Sequence, residues 1–361
     1  MRIERINYKG WPNSLRISND TVELIVLTDV GPRIISYGFL RGTNQFHEVP
    51  SHAGQTGAKE YVAYGGQRLW VSPEVERTYY PDNVACVIQE NSGGVRVAAP
   101  AEDHPPGTHL QREIEVQLAS SGSHVRVTHR ISNHDRQATQ LAPWAISMMA
   151  PGGRAILPLP PKAPLDMQHL LPVGLFALWS YTDFADPRWR LGTKYIQLKQ
   201  EAHPIGRFRE QMGGIFNPAG WGAYFREGHL FMKRVSVFKG ARYPDHGCNF
   251  ELYSDPEFLE LETLGPVIEL LPGQTVSHEE EWSLWRVGGE RDVPLGEGDD
   301  WIDAVILPKV EKASLGRDWT VTSGANIVRE DPLLTLRGSG KQLWSGEHAD
   351  DYIRRLREGW E

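Results

Sequence analysis

The fold of this 361-residue chain is decided by the stretch Phe-Leu-Glu-Leu-Glu-Thr-Leu-Gly-Pro at residues 258–266. Leu259 and Leu261 alternate there with Glu260 and Glu262, which is the period-two pattern of a β-strand with one apolar face. The pattern predicts a strand that directs the two carboxylates to one side and the two leucines to the other.

The face that carries Glu262 also carries the apolar residues Phe258 and Leu264. A carboxylate is costly to bury among apolar side chains unless it is paired. Glu262 is therefore either exposed to solvent, which is the common case, or a desolvated group with a raised pKa, as a general base near neutral pH requires. The second alternative makes Glu262 the candidate catalytic base.

The same alternation recurs along most of the chain. Residues 111–118 and 125–131 alternate in this way, and the turn-forming run at 119–123 between them predicts a β-hairpin. Further strands are predicted at residues 21–27, 230–238, 250–253, 258–263 and 276–286. With 36 glycines and 25 prolines between short apolar runs, the composition predicts an all-β protein. The proline-rich residues 151–172 are expected to form a long surface connection.

The charge balance and the cysteines exclude several classes of protein. A net charge of −8 without a concentrated basic patch argues against a nucleic-acid partner. The sequence shows neither a run of about 18 apolar residues nor a secretory signal, so no membrane partner is expected and the expected location is the cytoplasm. Cys86 and Cys248 are interpreted as buried thiols. No metal site and no cofactor are predicted, because the spacings that such sites need are missing.

A first group of candidate binding residues lies in residues 65–74. Two glycines there permit a tight turn, and Arg68, Trp70 and Glu74 follow. Such a set can bind a polyol through a guanidinium fork, an apolar indole face and an acceptor. The alternative has equal weight: a hairpin turn whose Arg68 and Glu74 form a surface ion pair.

A second group lies in residues 243–253, just before a predicted strand. Asp245, His246 and Asn249 occupy a position typical of binding loops held by a rigid scaffold. Pro-Asp-His-Gly is also good turn chemistry, and without further support the turn is the favoured interpretation.

These segments together resemble a known family. Leu261-Glu262-Thr263, followed by Leu271-Pro272-Gly273-Gln274 and a strand running into Trp282 and Trp285, is similar to the end of the aldose 1-epimerase and hexose-phosphate epimerase domain. Residues 125–133 and 142–147 resemble the segment that leads into the catalytic histidine of that family, and residues 66–70 lie where the family has a substrate-binding arginine. The resemblance spans about residues 15–287.

The resemblance implies a large antiparallel β-supersandwich of the galactose mutarotase-like type with a small-molecule carbohydrate in a groove across one sheet. Glu262 matches the base that removes the proton from the anomeric hydroxyl, and Arg68 matches a substrate-binding donor. Trp144 stands where the family has its acidic histidine and is expected to line the groove. An indole does not serve as that acid, so His246 is the best available substitute for it.

The chain is expected to divide into a sandwich over residues 1–310 and a tail over residues 311–361 with a short helix near residues 348–357. Residues 336–344 and 348–360 resemble the C-terminal part of small bacterial antitoxins. Three hypotheses therefore stay open: an epimerase, a non-catalytic sugar-binding module on the same fold, and a protein that binds a partner through its tail.

Overall fold

Two antiparallel sheets make up most of the computed structural model, which describes residues 1–91, 93–103, 109–287, 298–314 and 351. The first sheet has the order β1 (Arg2–Tyr8), β2 (Trp11–Ser18), β3 (Val22–Leu27), β4 (Arg33–Phe39), β5 (Gly66–Ser72), β10 (Thr139–Met149), β19 (Leu259–Leu264), β18 (Phe250–Ser254), β15 (Gln211–Ile215) and β12 (Phe176–Leu178), with β20 (Ile268–Leu270) paired to β10. The second sheet has the order β13 (Trp189–Leu191), β14 (Tyr195–Lys199), β11 (Arg154–Pro158), β16 (Trp221–Arg226), β17 (His229–Val235), β21 (Thr275–Arg286), β9 (Val125–Asn133), β8 (Leu110–Leu118), β7 (Gly94–Ala98) and β6 (Val87–Asn91).

The prediction of an all-β fold is confirmed. Strands β8 and β9 form the predicted hairpin, and the predicted strand at residues 276–286 is β21. The predicted strand at residues 258–263 is β19, and its faces are as expected. Leu259 and Leu261 enter the core between the sheets, together with Phe231 and Trp282 of the second sheet.

The proline-rich connection differs from the prediction at its start. Residues 154–158 form strand β11, because Ala155 and Leu157 are apolar at alternate positions and are buried in the core. Pro158, whose nitrogen cannot donate to a ladder, is the last residue of that strand. Residues 159–175 then run without regular structure, as expected.

A buried ion pair within the second sheet is hydrogen-bonded across the interior to the first sheet. Lys233 of β17 and Glu280 of β21 are both fully buried, and Lys233 Nζ lies 2.9 Å from Glu280 Oε1. The same ammonium donates across the interior to Ala145 O and Ser147 Oγ of β10, each at 3.2 Å. Burial lowers the pKa of Lys233, and the attraction of Glu280 opposes that shift.

Several donors surround the carboxylate of Glu280. Thr263 Oγ1 of β19 donates to Oε1 at 2.5 Å, and Gln67 Nε2 of β5 and Trp282 Nε1 donate to Oε2 at 3.0 and 3.1 Å. His129, interpreted from the sequence as a hydrogen-bonded core histidine, lies 3.2 Å from Oε2. Although burial alone would raise it, Lys233 and His129 hold the pKa of Glu280 well below its usual range. The network thus ties β5, β10 and β19 to the second sheet.

A helical segment follows the sandwich over residues 299–314. It consists of Asp299–Trp301, a π-helical turn at Ile302–Ile306 and an α-helix at Leu307–Ser314, and Ile302 and Ile306 are buried in a cluster with Trp221 of β16. Two short 3₁₀ turns lie earlier in the chain, at Pro50–His52 and Glu76–Tyr79. The predicted helix near residues 348–357 lies outside the described residues apart from residue 351. None of the described helices is long and apolar enough to cross a membrane.

Replacing Lys233 by methionine should destabilise the protein by about 3–5 kcal/mol, because Glu280 would be left as an unpaired buried charge. Chemical denaturation at pH 7 measures this loss. The double variant Lys233→Met with Glu280→Gln is the matched control: it removes the unpaired charge, keeps an acceptor oxygen for the surrounding donors, and should recover part of the lost stability. A single variant within about 1 kcal/mol of the wild type would show that the pair does not hold the sheets together.

Candidate active site

One row of cross-strand neighbours crosses the outer face of the first sheet. The register pairs Arg68 with Ile146, Ile146 with Glu262, Glu262 with Glu251, and Glu251 with Gly214. Directly opposed residues share a face, so these five residues, the site row, lie side by side on β5, β10, β19, β18 and β15. Arg68 and Glu262 are nearly 200 positions apart in sequence, yet their backbones lie two strand spacings apart, about 10 Å.

Glu262 is fully buried in the centre of the site row. Trp144 Nε1 donates to Oε2 at 2.6 Å, while Oε1 has no hydrogen-bond partner among the described residues. Burial and the neighbouring charge of Glu260 raise the pKa of Glu262 to about 8, and Trp144, Arg68 and Lys233 act in the opposite direction. The carboxyl group of Glu262 therefore gains and loses its proton near neutral pH, as general acid–base catalysis requires.

Glu251 is the second buried carboxyl group of the site row, and the sequence analysis did not single it out. It is directly opposed to Glu262 on β19, and its carboxyl group lies near those of Glu262 and Asp245. Burial and the charges of Glu262 and Asp245 raise the pKa of Glu251 well above its usual range. These surroundings therefore favour the protonated form of Glu251. Its alternation with the core residues Phe250 and Leu252 was the signal that could have placed it on this face.

Arg68 is buried at the other end of the site row. Its Nη2 donates to Glu260 Oε1 at 3.1 Å, and its guanidinium carbon lies 4.3 Å from the ring centre of Trp70. Burial opposes the charge of Arg68, but Tyr61, Glu260 and Glu262 more than offset that effect and raise its pKa. Nε and Nη1 are buried without a hydrogen-bond partner.

The predicted surface ion pair between Arg68 and Glu74 does not form. Glu74 is exposed and accepts a hydrogen bond from the hydroxyl of Tyr79, whereas Arg68 is paired with Glu260. The reason is the strand alternation, which turns Arg68 toward the site row while Glu74 lies beyond the end of β5 at Ser72.

Aromatic side chains cluster beside Arg68. The ring centres of Trp70 and Trp144 are 5.4 Å apart in an edge-to-face contact, and Tyr61 and Tyr79 pack edge-on against Trp70 at 5.4 and 5.1 Å. Both indoles are nearly buried. Trp70 therefore packs against Arg68 and the other rings, and its role as an apolar face for a sugar stays a prediction.

The loop before β18 delivers Asp245 to the site row. Asp245 and His246 adopt left-handed backbone conformations with φ of 50° and 64°, a strained geometry that recurs at functional sites. Asp245 is half-buried against Glu251, and burial raises its pKa. The side chain of His246 is exposed. Asn249 is buried. Its Oδ1 accepts a hydrogen bond from the backbone N–H of Asn217 at 2.6 Å, and its Nδ2 donates to the Asn217 carbonyl oxygen at 3.0 Å.

Access to the site row requires movement. Glu262 has no exposed surface and Glu251 almost none. The half-buried Tyr181 also lies close to this region: burial raises its pKa, and the charges of Glu262 and Glu74 add to that shift. Among the described residues, no cluster of three or more histidine, cysteine, aspartate or glutamate side chains has a geometry that could hold a metal ion.

Comparisons with solved structures identify the architecture. A putative aldose 1-epimerase from Klebsiella pneumoniae matches 79% of this chain and 83% of its own, with a TM-score of 0.51 and 10% identity. A putative aldose 1-epimerase from Escherichia coli K12 matches 75% of this chain and 98% of its own, with a TM-score of 0.46 and 16% identity. A galactose mutarotase-like protein from Lactobacillus casei matches 76% of this chain and 100% of its own, with a TM-score of 0.46 and 10% identity. The sequence matches no protein-family model and no curated protein.

This chain is therefore an antiparallel β-sandwich protein. Its fold is that of the aldose 1-epimerase and galactose mutarotase-like proteins, as the sequence resemblance implied. At 10% identity the similarity establishes the fold alone, so any function has to be argued from the site row.

The variant Glu262→Gln should gain stability over the wild type as the pH rises. The folded protein keeps the Glu262 proton up to a pKa of about 8, whereas an unfolded glutamate loses it near about 4.3. The contribution of Glu262 to stability is thus complete below the pKa of the unfolded state and is lost as the pH rises toward the pKa of the folded state. Glutamine does not ionise, so it avoids this loss.

The measurement is the free energy of unfolding at pH 5 and at pH 8. The advantage of Glu262→Gln should grow between them by about 1–3 kcal/mol. Glu279→Gln, at an exposed position of β21, is the matched control and should show no such growth. An advantage that stays constant with pH would mean that Glu262 titrates as an ordinary glutamate.

Proposed function

We propose that this protein binds an aldose over the site row and interconverts its anomers, with Glu262 as the general base. The observation that supports this most is the environment of Glu262: a desolvated carboxyl group with one unpartnered oxygen and a pKa of about 8, on the same sheet face as a charged arginine. The shared fold with aldose 1-epimerase-like proteins is consistent with this chemistry.

The base step uses the free oxygen of Glu262. Oε2 is held by Trp144, which fixes the orientation of the carboxylate, and Oε1 is left to accept the proton of an anomeric hydroxyl. A base with a pKa near the working pH combines a useful population of the ionised form with strong proton affinity. Trp144 is thus a positioning residue for the base in this proposal.

Substrate binding uses the groups around the base. Arg68 has buried N–H groups without partners, and these can donate to sugar hydroxyls in a fixed geometry. Asp245 and Glu74 lie toward the solvent side and can accept from other hydroxyls, while Trp70 and Trp144 supply apolar walls. Asn249 acts indirectly in this scheme, because its amide is engaged with the Asn217 backbone.

A non-catalytic sugar-binding module is the second candidate. The burial of Glu262 favours it, and so does the presence of Trp144 at the position where the related enzymes have a histidine acid. Such a module would bind an aldose without accelerating anomer exchange. The tail hypothesis stays a prediction, because nearly all of residues 311–361 lie outside the described part of the chain.

Anomer exchange measured by two-dimensional exchange NMR on a panel of aldoses tests the proposal. The wild type should accelerate exchange of at least one aldose, and Glu262→Gln should lower its kcat by about 10²–10⁴-fold, because the general base is lost. The wild-type kcat/KM should rise with pH as Glu262 loses its proton, with a midpoint near pH 8.

Glu279→Gln again serves as the matched control and should exchange sugar at the wild-type rate. Calorimetric titration of the same sugars separates the two candidates. An aldose that binds the wild type without faster exchange would favour the binding module, and equal rates for the wild type and Glu262→Gln would exclude Glu262 as the base.

A further inference from the structure

We propose that Glu251 is the general acid that protonates the ring oxygen of the sugar, in partnership with Glu262 as the base. This inference rests on the proposed function and supplies the group that the sequence analysis sought in His246. It assigns a catalytic role to a residue that neither the sequence motifs nor the fold similarity indicated.

The geometry of the pair matches the geometry of the reaction. Glu251 and Glu262 are directly opposed on β18 and β19, and the charge of Glu262 acts on the carboxyl group of Glu251. The anomeric oxygen and the ring oxygen of an aldopyranose are both bonded to the same carbon. The acid and the base that serve these two oxygens must therefore themselves be neighbours, as this pair is.

The surroundings of the two groups divide the roles. Glu262 receives the Trp144 N–H and lies within the electrostatic influence of Arg68 and Lys233, all of which stabilise negative charge. Glu251 differs, because among the described residues its Oε1 has no donor partner and its carboxyl group lies near those of Asp245 and Glu262. Environments that separate the pKa values of two adjacent carboxyl groups assign the base to one and the acid to the other.

The reaction step balances with these two groups alone. Glu262 takes the proton from the anomeric hydroxyl, a carbonyl forms at the anomeric carbon, and the bond from that carbon to the ring oxygen breaks. The ring oxygen takes the proton of Glu251, which leaves Glu251 ionised and Glu262 protonated. After rotation of the aldehyde, the same transfers in reverse close the ring and restore both residues.

His246, His129 and His278 are placed less well for this role. His246 is exposed on the loop beside Asp245. His129 and His278 are buried in the interior network around Glu280 and Thr263, on the opposite face of the first sheet from the site row. Burial lowers the pKa of His278 to about 3, so it carries no proton to donate from an imidazolium at neutral pH.

The test compares Glu251→Gln with the wild type in the anomer-exchange assay over a range of pH. Loss of the acid should lower kcat by about 10²–10⁴-fold with KM changed by less than about threefold. The wild-type rate should fall again at high pH as Glu251 ionises, and this alkaline limb should be absent from the residual rate of Glu251→Gln. A merely structural role would lower the rate without removing that limb.

Glu251→Asp keeps a carboxylic acid on a shorter side chain and should retain the alkaline limb at a reduced rate, so it decides the question if the glutamine variant does not fold. Glu279→Gln is the control for a lost surface carboxylate and should match the wild type.

Full activity of Glu251→Gln while Glu262→Gln is inactive would overturn the role of Glu251 and leave the proposed function intact. The role would also be overturned if His246→Asn, rather than Glu251→Gln, removed the alkaline limb. Absence of exchange by the wild type would remove both proposals.

Discussion

The alternation of strand β19 is the constraint on which the site depends. Leu259 and Leu261 must face the core between the sheets, so Glu260 and Glu262 must face the other way, whether or not water is there to solvate them. In this structure water is largely excluded, and Glu262 has no exposed surface. A carboxyl group in that position either keeps its proton or finds donors. The raised pKa of Glu262 and the short bond from Trp144 are the two parts of that response.

The two faces of the first sheet treat buried charge differently. In the interior, Glu280 is surrounded by donors and by Lys233, and its pKa is depressed. On the outer face, Glu262 and Glu251 lie against each other with few donors, and their pKa values are raised. The first arrangement stabilises the sandwich, whereas the second costs stability at neutral pH. Such local cost without a structural return is typical of functional sites.

The sequence predicted the features that depend on local alternation, and missed those that depend on which distant strands become neighbours. The hairpin of β8 and β9 and the orientation of Glu262 follow from period two alone. The ion pair of Arg68 with Glu260 joins residues 192 positions apart, and local patterns carry no information on that pairing. Glu251 was missed for the same reason: its alternation was visible, but its contact with Glu262 required the register of β18 against β19.

Glu262, on the outer face of the first sheet, titrates near neutral pH because it is buried beside other carboxyl groups. Carbon-13 NMR of carboxyl-labelled glutamate measures this directly in the wild type and in Glu262→Gln. One carboxyl signal should titrate near pH 8 in the wild type and be missing from the variant. If every glutamate signal titrated below about pH 5, burial would not raise the pKa of Glu262.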